Sequence, residues 1–531
     1  MNTDTEQASS EPAPLAQSAG GVSRAPPTHF TYAPLQTSVE EYALEIDPKL
    51  LALFEKDEDT PDQPAVFLTP EGKRQSVRIR LRGNSSRSWP KKSWRIELPE
   101  GSKYDGRRKL NLLSEWRDSS LMIEKLGYDM LASMGVPAPR GKYVRLSING
   151  RYQGVYLDLE RVDKPFLTNH GFADTDGSIY RCGRKNCEMK TAFDRTYQKD
   201  WEKKTNEKQP DDALKAFNDT VNYTPEPSFT QALEGRFELE SHLRELAVDA
   251  LISNGTVEDS RSYMVHDAMT GRFTYVPWDY NNTDALAVPF GNRDNADYKH
   301  PIFSFSLFDG WVEEEYQSRE EKEPGRFKPI FSNLNTRIVL NPELRARELA
   351  LVEQARDELL DTERMNARID ALFTLLEPHM RGAPNTDVER FLDGPRYLKK
   401  YVQNRRRFLK EQLAAWRKWK PGLVLQTVNP QKGYVELRNL GDKPVNTTGL
   451  VLTPVLRDTK TRNVPALTLQ PGETLRLTSA QLGFKLEPKG ELGLFDGKSV
   501  VGVLDALYYG ALPAGKEYAR DAQEPLRWRV R

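Results

Sequence analysis

Apolar positions in the first third of the chain recur at every second residue. In "VRIRLR", Val77, Ile79 and Leu81 share one face and Arg78, Arg80 and Arg82 the other, which predicts a half-buried strand. Beyond a polar stretch, Trp94, Ile96 and Leu98 again share a face, and the same parity places Lys92 on that apolar side. The spacing turns helical in "DSSLMIEKLGYDMLASMG", with Asp118 or Ser119 as N-cap and Gly135 as stop. "YVRLSINGRYQGVYLDLE" predicts a hairpin turning at Asn149-Gly150. Residues 165 to 235 are polar and irregular and read as an insertion or lid. "FELESHLRELAVDALISNG" predicts a helix with Phe237, Leu243, Leu246 and Ala250 along one face. A second hairpin follows, "SYMVHD" and "RFTYVPWDY" about Thr270-Gly271. Residues 342 to 419 carry helical patterns. From 421 to 531 short strands alternate with Gly, Pro, Asn and Asp, the pattern of a β-sandwich.

Length and charge narrow the classes. At 531 residues the chain exceeds one core. Lys plus Arg and Asp plus Glu both number 77, so no excess positive charge supports a general nucleic-acid binder. No stretch approaches the roughly 18 apolar residues of a membrane span, and no apolar signal-peptide core opens the chain; a soluble protein without a membrane span is expected. Residues 1 to 29 are rich in Ser, Ala, Pro and Gln and read as a disordered lead. Cys182 and Cys187 allow a small disulfide loop or two free thiols. Six His without an H-E-x-x-H motif argue against a zinc enzyme. Neither G-x-S-x-G nor a P-loop motif occurs. The run Arg405, Arg406, Arg407 on a predicted helix reads as a solvated face, or as a contact for an acidic substrate.

Four features combine: the polar loop Gly83, Asn84, Ser85, Ser86; the inward Lys92; a helix carrying Glu124; and the second hairpin, with Asp259 before it and Asp279 at its end. Phosphoryl transfer needs such parts. A loop covers the phosphates, a lysine holds them, one carboxylate orients the acceptor hydroxyl and another holds the metal. A hairpin between two aspartates suits rigid positioning.

The ordered motifs "RGNSSRSWPKKSW", "LNLLSEWRDSSLMIEKLGYDML", "GVPAPRGKYVRLSINGRYQGVYLDLERVDKPFL" and "GRFTYVPWDYNN" strongly resemble the spore-coat-protein-H (CotH) kinase family, from about residue 36 to about 415. "YVELRNLGDKPVNTTGLVL" resembles a lamin-tail-type immunoglobulin-like domain. The resemblance implies an α+β chain: an atypical two-lobed protein-kinase-like domain over 30–419 (small lobe about 30–160, large helical lobe about 161–419), then a C-terminal β-sandwich over 421–531. It implies ATP with Mg²⁺ or Mn²⁺, a Ser or Thr acceptor on a protein substrate, and an extracellular or cell-envelope location.

By that resemblance Lys92 holds the phosphates and pairs with Glu124, and the loop 83–86 offers backbone N–H groups to phosphate. Glu160 falls at the linker between lobes, in a structural or hinge role. Asp279 ligates the metal, with Asn281 two residues on, where many relatives have a second acid. Asp259 orients the acceptor, with Glu258 as the alternative, and Arg261 contacts phosphate. Thr256 and Ser262 depart from the usual Asp and Asn of that stretch. These departures leave open a catalytically inactive surface scaffold on the same fold. AMP transfer to a protein is a third reading.

Overall fold

The computed structural model describes residues 27–83, 85–183, 187, 189, 200–254, 262–280, 298–310, 317, 318, 320–326, 328–458, 464–498 and 502–531. Helices and sheets mix in an α+β chain.

The period-2 segments of the first third curl into a closed barrel. Its strands are β1 (Glu40–Glu45), β2 (Gln63–Leu68), β3 (Arg74–Leu81), β4 (Trp94–Glu97), β5 (Lys109–Leu113), β6 (Gly141–Ile148) and β7 (Arg151–Leu159). They neighbour in the order β1-β2-β3-β4-β5-β7-β6, and β6 returns beside β1 in parallel register to close it. The predicted apolar face is the interior: Val77, Ile79, Leu81, Trp94 and Ile96 pack with Tyr42, Phe67, Leu110 and Leu146. Period 2 therefore sends Arg80 and Arg95 outward, directly opposite each other across β3 and β4. Like charges so placed repel. Asp62 lies between them, accepting from Arg95 at 2.9 and 3.0 Å, and Glu97 is 3.1 Å from Arg95.

The parity argument fails at Lys92. Strand β4 begins at Trp94, so alternation does not extend back through the bend before it. Lys92 is half-buried and its Nζ donates to the Arg87 carbonyl at 2.5 Å. The buried lysine is its neighbour: Lys91 Nζ donates to the Val155 carbonyl at 2.6 Å and sits 4.7 Å from the Tyr156 ring centroid.

Helix α1 (Pro48–Lys56) sets Phe54 edge-on against Trp94. Helix α2 (Ile123–Ser133) starts later than its sequence pattern. Asp118 still caps it, from five residues back, by accepting from the Ile123 N–H at 2.9 Å. The intervening Leu121 has a left-handed φ of 60°, which delays the first turn. Gly135, at φ 75°, lies just past the end of the helix, as its residue type implies.

Below the barrel, β8 (Ser178–Cys182), β9 (Trp201–Lys203), β10 (Ser262–Asp267) and β11 (Arg272–Pro277) form a sheet in the order β11-β10-β8-β9. The described part of 165–235 is thus not irregular. It supplies β8, β9 and helices α3 (Lys164–Asn169), α4 (Asp212–Tyr223) and α5 (Phe229–Glu234). Strands of five and three residues are too short to print a period on a polar background. The two cysteines are bonded to each other at the end of β8.

Helices α6 (Leu239–Ile252), α7 (Asn333–Leu340), α8 (Pro342–Glu358), α9 (Thr362–Leu376) and α10 (Val388–Lys418) follow the second hairpin pattern's flanks and the helical stretch after it. One large core joins α2 to α6, α8, α9 and α10. Arg405 is not solvated: it is fully buried and donates to the carbonyls of Ala250 (2.8 Å), Tyr298 (2.7 Å) and His300 (2.6 Å). A helix end leaves such carbonyls without intrahelical donors, and Arg405 answers that need at the end of α6.

After α10 the chain forms β12 (Leu423–Asn429), β13 (Tyr434–Asn439), β14 (Val445–Asn446), β15 (Val451–Thr453), β16 (Thr468–Leu469), β17 (Thr474–Thr478), β18 (Gly490–Phe495), β19 (Val503–Tyr509), β20 (Tyr518–Arg520) and β21 (Trp528–Val530). They make three small sheets, in the orders β17-β13-β12-β20-β21, β14-β16 and β15-β18-β19. They share a core that includes Leu425, Leu437, Leu492 and Tyr518. A second apolar cluster, Phe495 and Tyr508 with Leu307 and Phe331, ties them to α7. Asn333 anchors that seam, accepting from Arg457 at 3.0 Å and from Tyr508 at 3.1 Å. Among the described residues no helix is long and apolar enough to cross a membrane.

Candidate active site

A cleft of about 1040 Å³ runs between the outer face of β3 and β4 and the sheet that carries β8 and β10. Its barrel wall is basic because the strand period puts Arg80, Arg82 and Arg95 outside. Arg161, after β7, and Arg181, on β8, add charge at other points of the lining. Gly83 and Ser86 of the polar loop also line it. Gly83 has φ 113°, and a Cβ there would lie 1.7 Å from Ser86 Oγ, so only glycine lets the loop fold this tightly. Ser85 opens the short 3-10 turn Ser85–Ser88 that follows.

Besides Glu58 and Asp59, between α1 and β2, three carboxylates line the cleft: Glu115 after β5, Glu124 on α2 and Asp279 after β11. Two of them stand on left-handed backbone, Glu115 at φ 49° and Asp279 at φ 69°. Such positions cost roughly 1–3 kcal/mol and persist only where packing over-determines them. Burial first, then Glu115 and then Asp279, push the Glu124 carboxyl well above its ordinary range, while Arg82 opposes the shift. Three acids and one arginine therefore sense one another. Arg82 also lies 5.3 Å from the centre of the Trp278 ring, next to Asp279.

The structure brings together Gly83, Ser86, Glu124 and Asp279, and leaves out two expected partners. Lys92 does not line the cleft, and the cation beside Glu124 is Arg82. Glu160 is buried away from the cleft. Its carboxylate accepts from Asn169 at 2.9 Å, contacts His170 Nε2 at 2.8 Å and receives the Arg140 N–H at 3.3 Å. These hydrogen bonds hold its carboxyl below its usual range against burial. It fastens the end of β7 to α3, a structural role. Asn84, Thr256, Glu258, Asp259, Arg261 and Asn281 lie outside the described residues. Ser262 opens β10, is buried and lines the cleft.

Sequence reasoning missed Arg82 and Glu115. Arg82 had a signal, since alternation already put it on the polar face at the mouth of the loop. Glu115, next to last in "LNLLSEW", carries no pattern of its own.

A family model described as CotH kinase protein matches residues 79–409, more than half of the chain. The chain belongs to the CotH kinase family. The matched span holds every cleft residue discussed above except Glu58 and Asp59. Inner spore coat protein H of Bacillus subtilis (strain 168) is 28% identical over 391 residues, which cover 71% of this chain and 99% of that protein. An inner spore coat protein H-like protein of the same organism is 37% identical over 74 residues, 14% of this chain and 24% of its own length. The family match runs from the end of β3 into α10, so it leaves out β1, α1, β2 and the three C-terminal sheets.

Proposed function

We propose that this CotH-family chain transfers the γ-phosphoryl group of ATP to a Ser or Thr of a protein substrate, with Mg²⁺ or Mn²⁺. In this reading the barrel and the helical part are the two lobes of an atypical kinase, and the C-terminal sheets a lamin-tail-like β-sandwich. The observation that carries it is one cleft lined both by several arginines, Arg82 among them, and by carboxylates that include Glu124 and Asp279. Polyphosphate fits the first and a divalent cation the second.

The donor set suits the metal. Carboxylate oxygens are the ligands that Mg²⁺ and Mn²⁺ prefer, and Mg²⁺ is held by one or two protein carboxylates plus substrate phosphates. Asp279 would be the ligand, and a cation there would neutralise charge on the transferred phosphoryl group. Arg82, beside Glu124, takes the part expected of Lys92 and would hold phosphate oxygens bidentately. Asp259 would orient the acceptor hydroxyl.

The relative's name places inner spore coat protein H in the spore coat, and by that likeness we assign this chain to the cell envelope or a coat layer. A nucleotide-free scaffold is the second reading, favoured by the departures at Thr256, Ser262 and Asn281. Thermal unfolding with ATP and Mn²⁺ separates the two. A ligand at 100 times its Kd stabilises by about 2.7 kcal/mol, whereas a scaffold without the site shows no shift. Intact mass after incubation then distinguishes a phosphoryl adduct from an adenylyl one.

A further inference from the structure

The residue after Asp279 is held more firmly than a strand end requires. Tyr280 is 1% exposed, and its hydroxyl donates to Asp249 Oδ1 on α6 at 2.8 Å. Asn254 Nδ2, just past the end of α6, donates to the same oxygen at 2.9 Å. The ring lies against α2. Its centroid is 5.4 Å from that of Tyr128, and a Cβ on Gly127 would lie 2.6 Å from Tyr280 Cδ1. Gly127 is three residues beyond Glu124 on the same helix.

Glycine within a helix costs about 1 kcal/mol relative to alanine, so this position sacrifices helix stability to admit the ring. One side chain thus touches the helix bearing Glu124 and the helix bearing Asp249, and its residue directly follows Asp279 in the chain. The left-handed conformation of Asp279 needs such restraint.

We propose that Tyr280 is a positioning residue. Its ring lodged at Gly127 and its hydroxyl on Asp249 fix the Asp279 backbone and the Glu124 helix in one mutual arrangement, so that both carboxylates reach the cleft together. The inference rests on the phosphoryl-transfer reading for its kinetic consequence and not for its structural one.

Two single variants test it, each on the full chain. Tyr280→Phe removes the hydroxyl and keeps the ring, and Gly127→Ala intrudes on the ring and keeps the hydroxyl. Hydrogen exchange is followed in peptides covering 119–133 and 272–280, and label transfer from γ-labelled ATP is measured against Mn²⁺ concentration. Each variant is expected to raise exchange in the element it does not belong to: Tyr280→Phe in α2, Gly127→Ala around Asp279. The half-saturating Mn²⁺ concentration should rise about fivefold in Tyr280→Phe, the size of one lost buried hydrogen bond. A residue that only adds stability would lower the melting temperature and leave that concentration unchanged per folded molecule.

Exchange confined to the substituted element in both variants overturns the proposal, as does an unchanged Mn²⁺ requirement in an active protein. Should the parent transfer no label, the kinase reading fails, and the exchange pattern alone decides the coupling. If Tyr280→Phe does not fold, Gly127→Ala decides it.

Discussion

Lys91 offers a quantitative test of how the barrel edge is built. The residue is 4% exposed, and burial pushes its pKa from 10.5 down to about 7, with Glu115 opposing the shift. In the unfolded chain the same lysine titrates near its ordinary value, so between about pH 7 and pH 10.5 the unfolded state binds the extra proton. Stability must rise with pH across that window. Below it both states are charged and the burial cost is present in full, about 5 kcal/mol at 1.36 kcal/mol per pH unit.

Lys91→Met keeps most of the apolar stem and removes the titration, along with the hydrogen bond to Val155, worth about 1 kcal/mol. The difference in unfolding free energy between variant and parent cancels every other titrating group. It should favour the variant by about 3 kcal/mol more near pH 6 than near pH 9.5, by linkage between the two pKa values. Urea unfolding of both proteins at several pH values reads it directly. Parallel curves across the window would refute the reasoning, because Lys91 would then be charged or neutral in both states alike.

Further outcomes follow from the cleft. Arg82→Ala should weaken ATP binding by about tenfold or more, the size of a lost charge-assisted hydrogen bond, while Lys92→Ala stays near the parent in a nucleotide titration. Gly83→Ala, forced to a φ of 113° and against Ser86, should lose about 1–3 kcal/mol of local stability and raise the KM for ATP. Reduction of the Cys182–Cys187 bond opens a loop of sequence separation 5 and should lower the melting temperature by several degrees, for a loss of about 2 kcal/mol, measured with and without a thiol reductant.

Period-2 and helical patterning carried much of the architecture. The barrel interior, the two hairpins, α2 and α6 were legible because long runs of one period leave a strong record. The short strands β8 and β9 were not, since five and three residues in a polar stretch carry no period of their own. Lys92 shows the limit at a finer scale: parity holds only within a continuous strand, and a bend resets it. Arg405 shows another, because a charge buried by helix-end carbonyls has the same sequence appearance as one in water. The influence of Arg82 on Glu124, and the room that Gly127 leaves for Tyr280, depend on the approach of segments distant in the chain. No local pattern records them.

The central claim is phosphoryl transfer at Asp279. Label from γ-labelled ATP would be followed onto the chain itself and onto an added protein substrate, with Mn²⁺ or Mg²⁺, for the parent, Asp279→Ala and Arg82→Ala. The account predicts labelled parent and no label with either variant, both of which remain folded by circular dichroism. Absence of label on the parent, or undiminished label on folded Asp279→Ala, would contradict it.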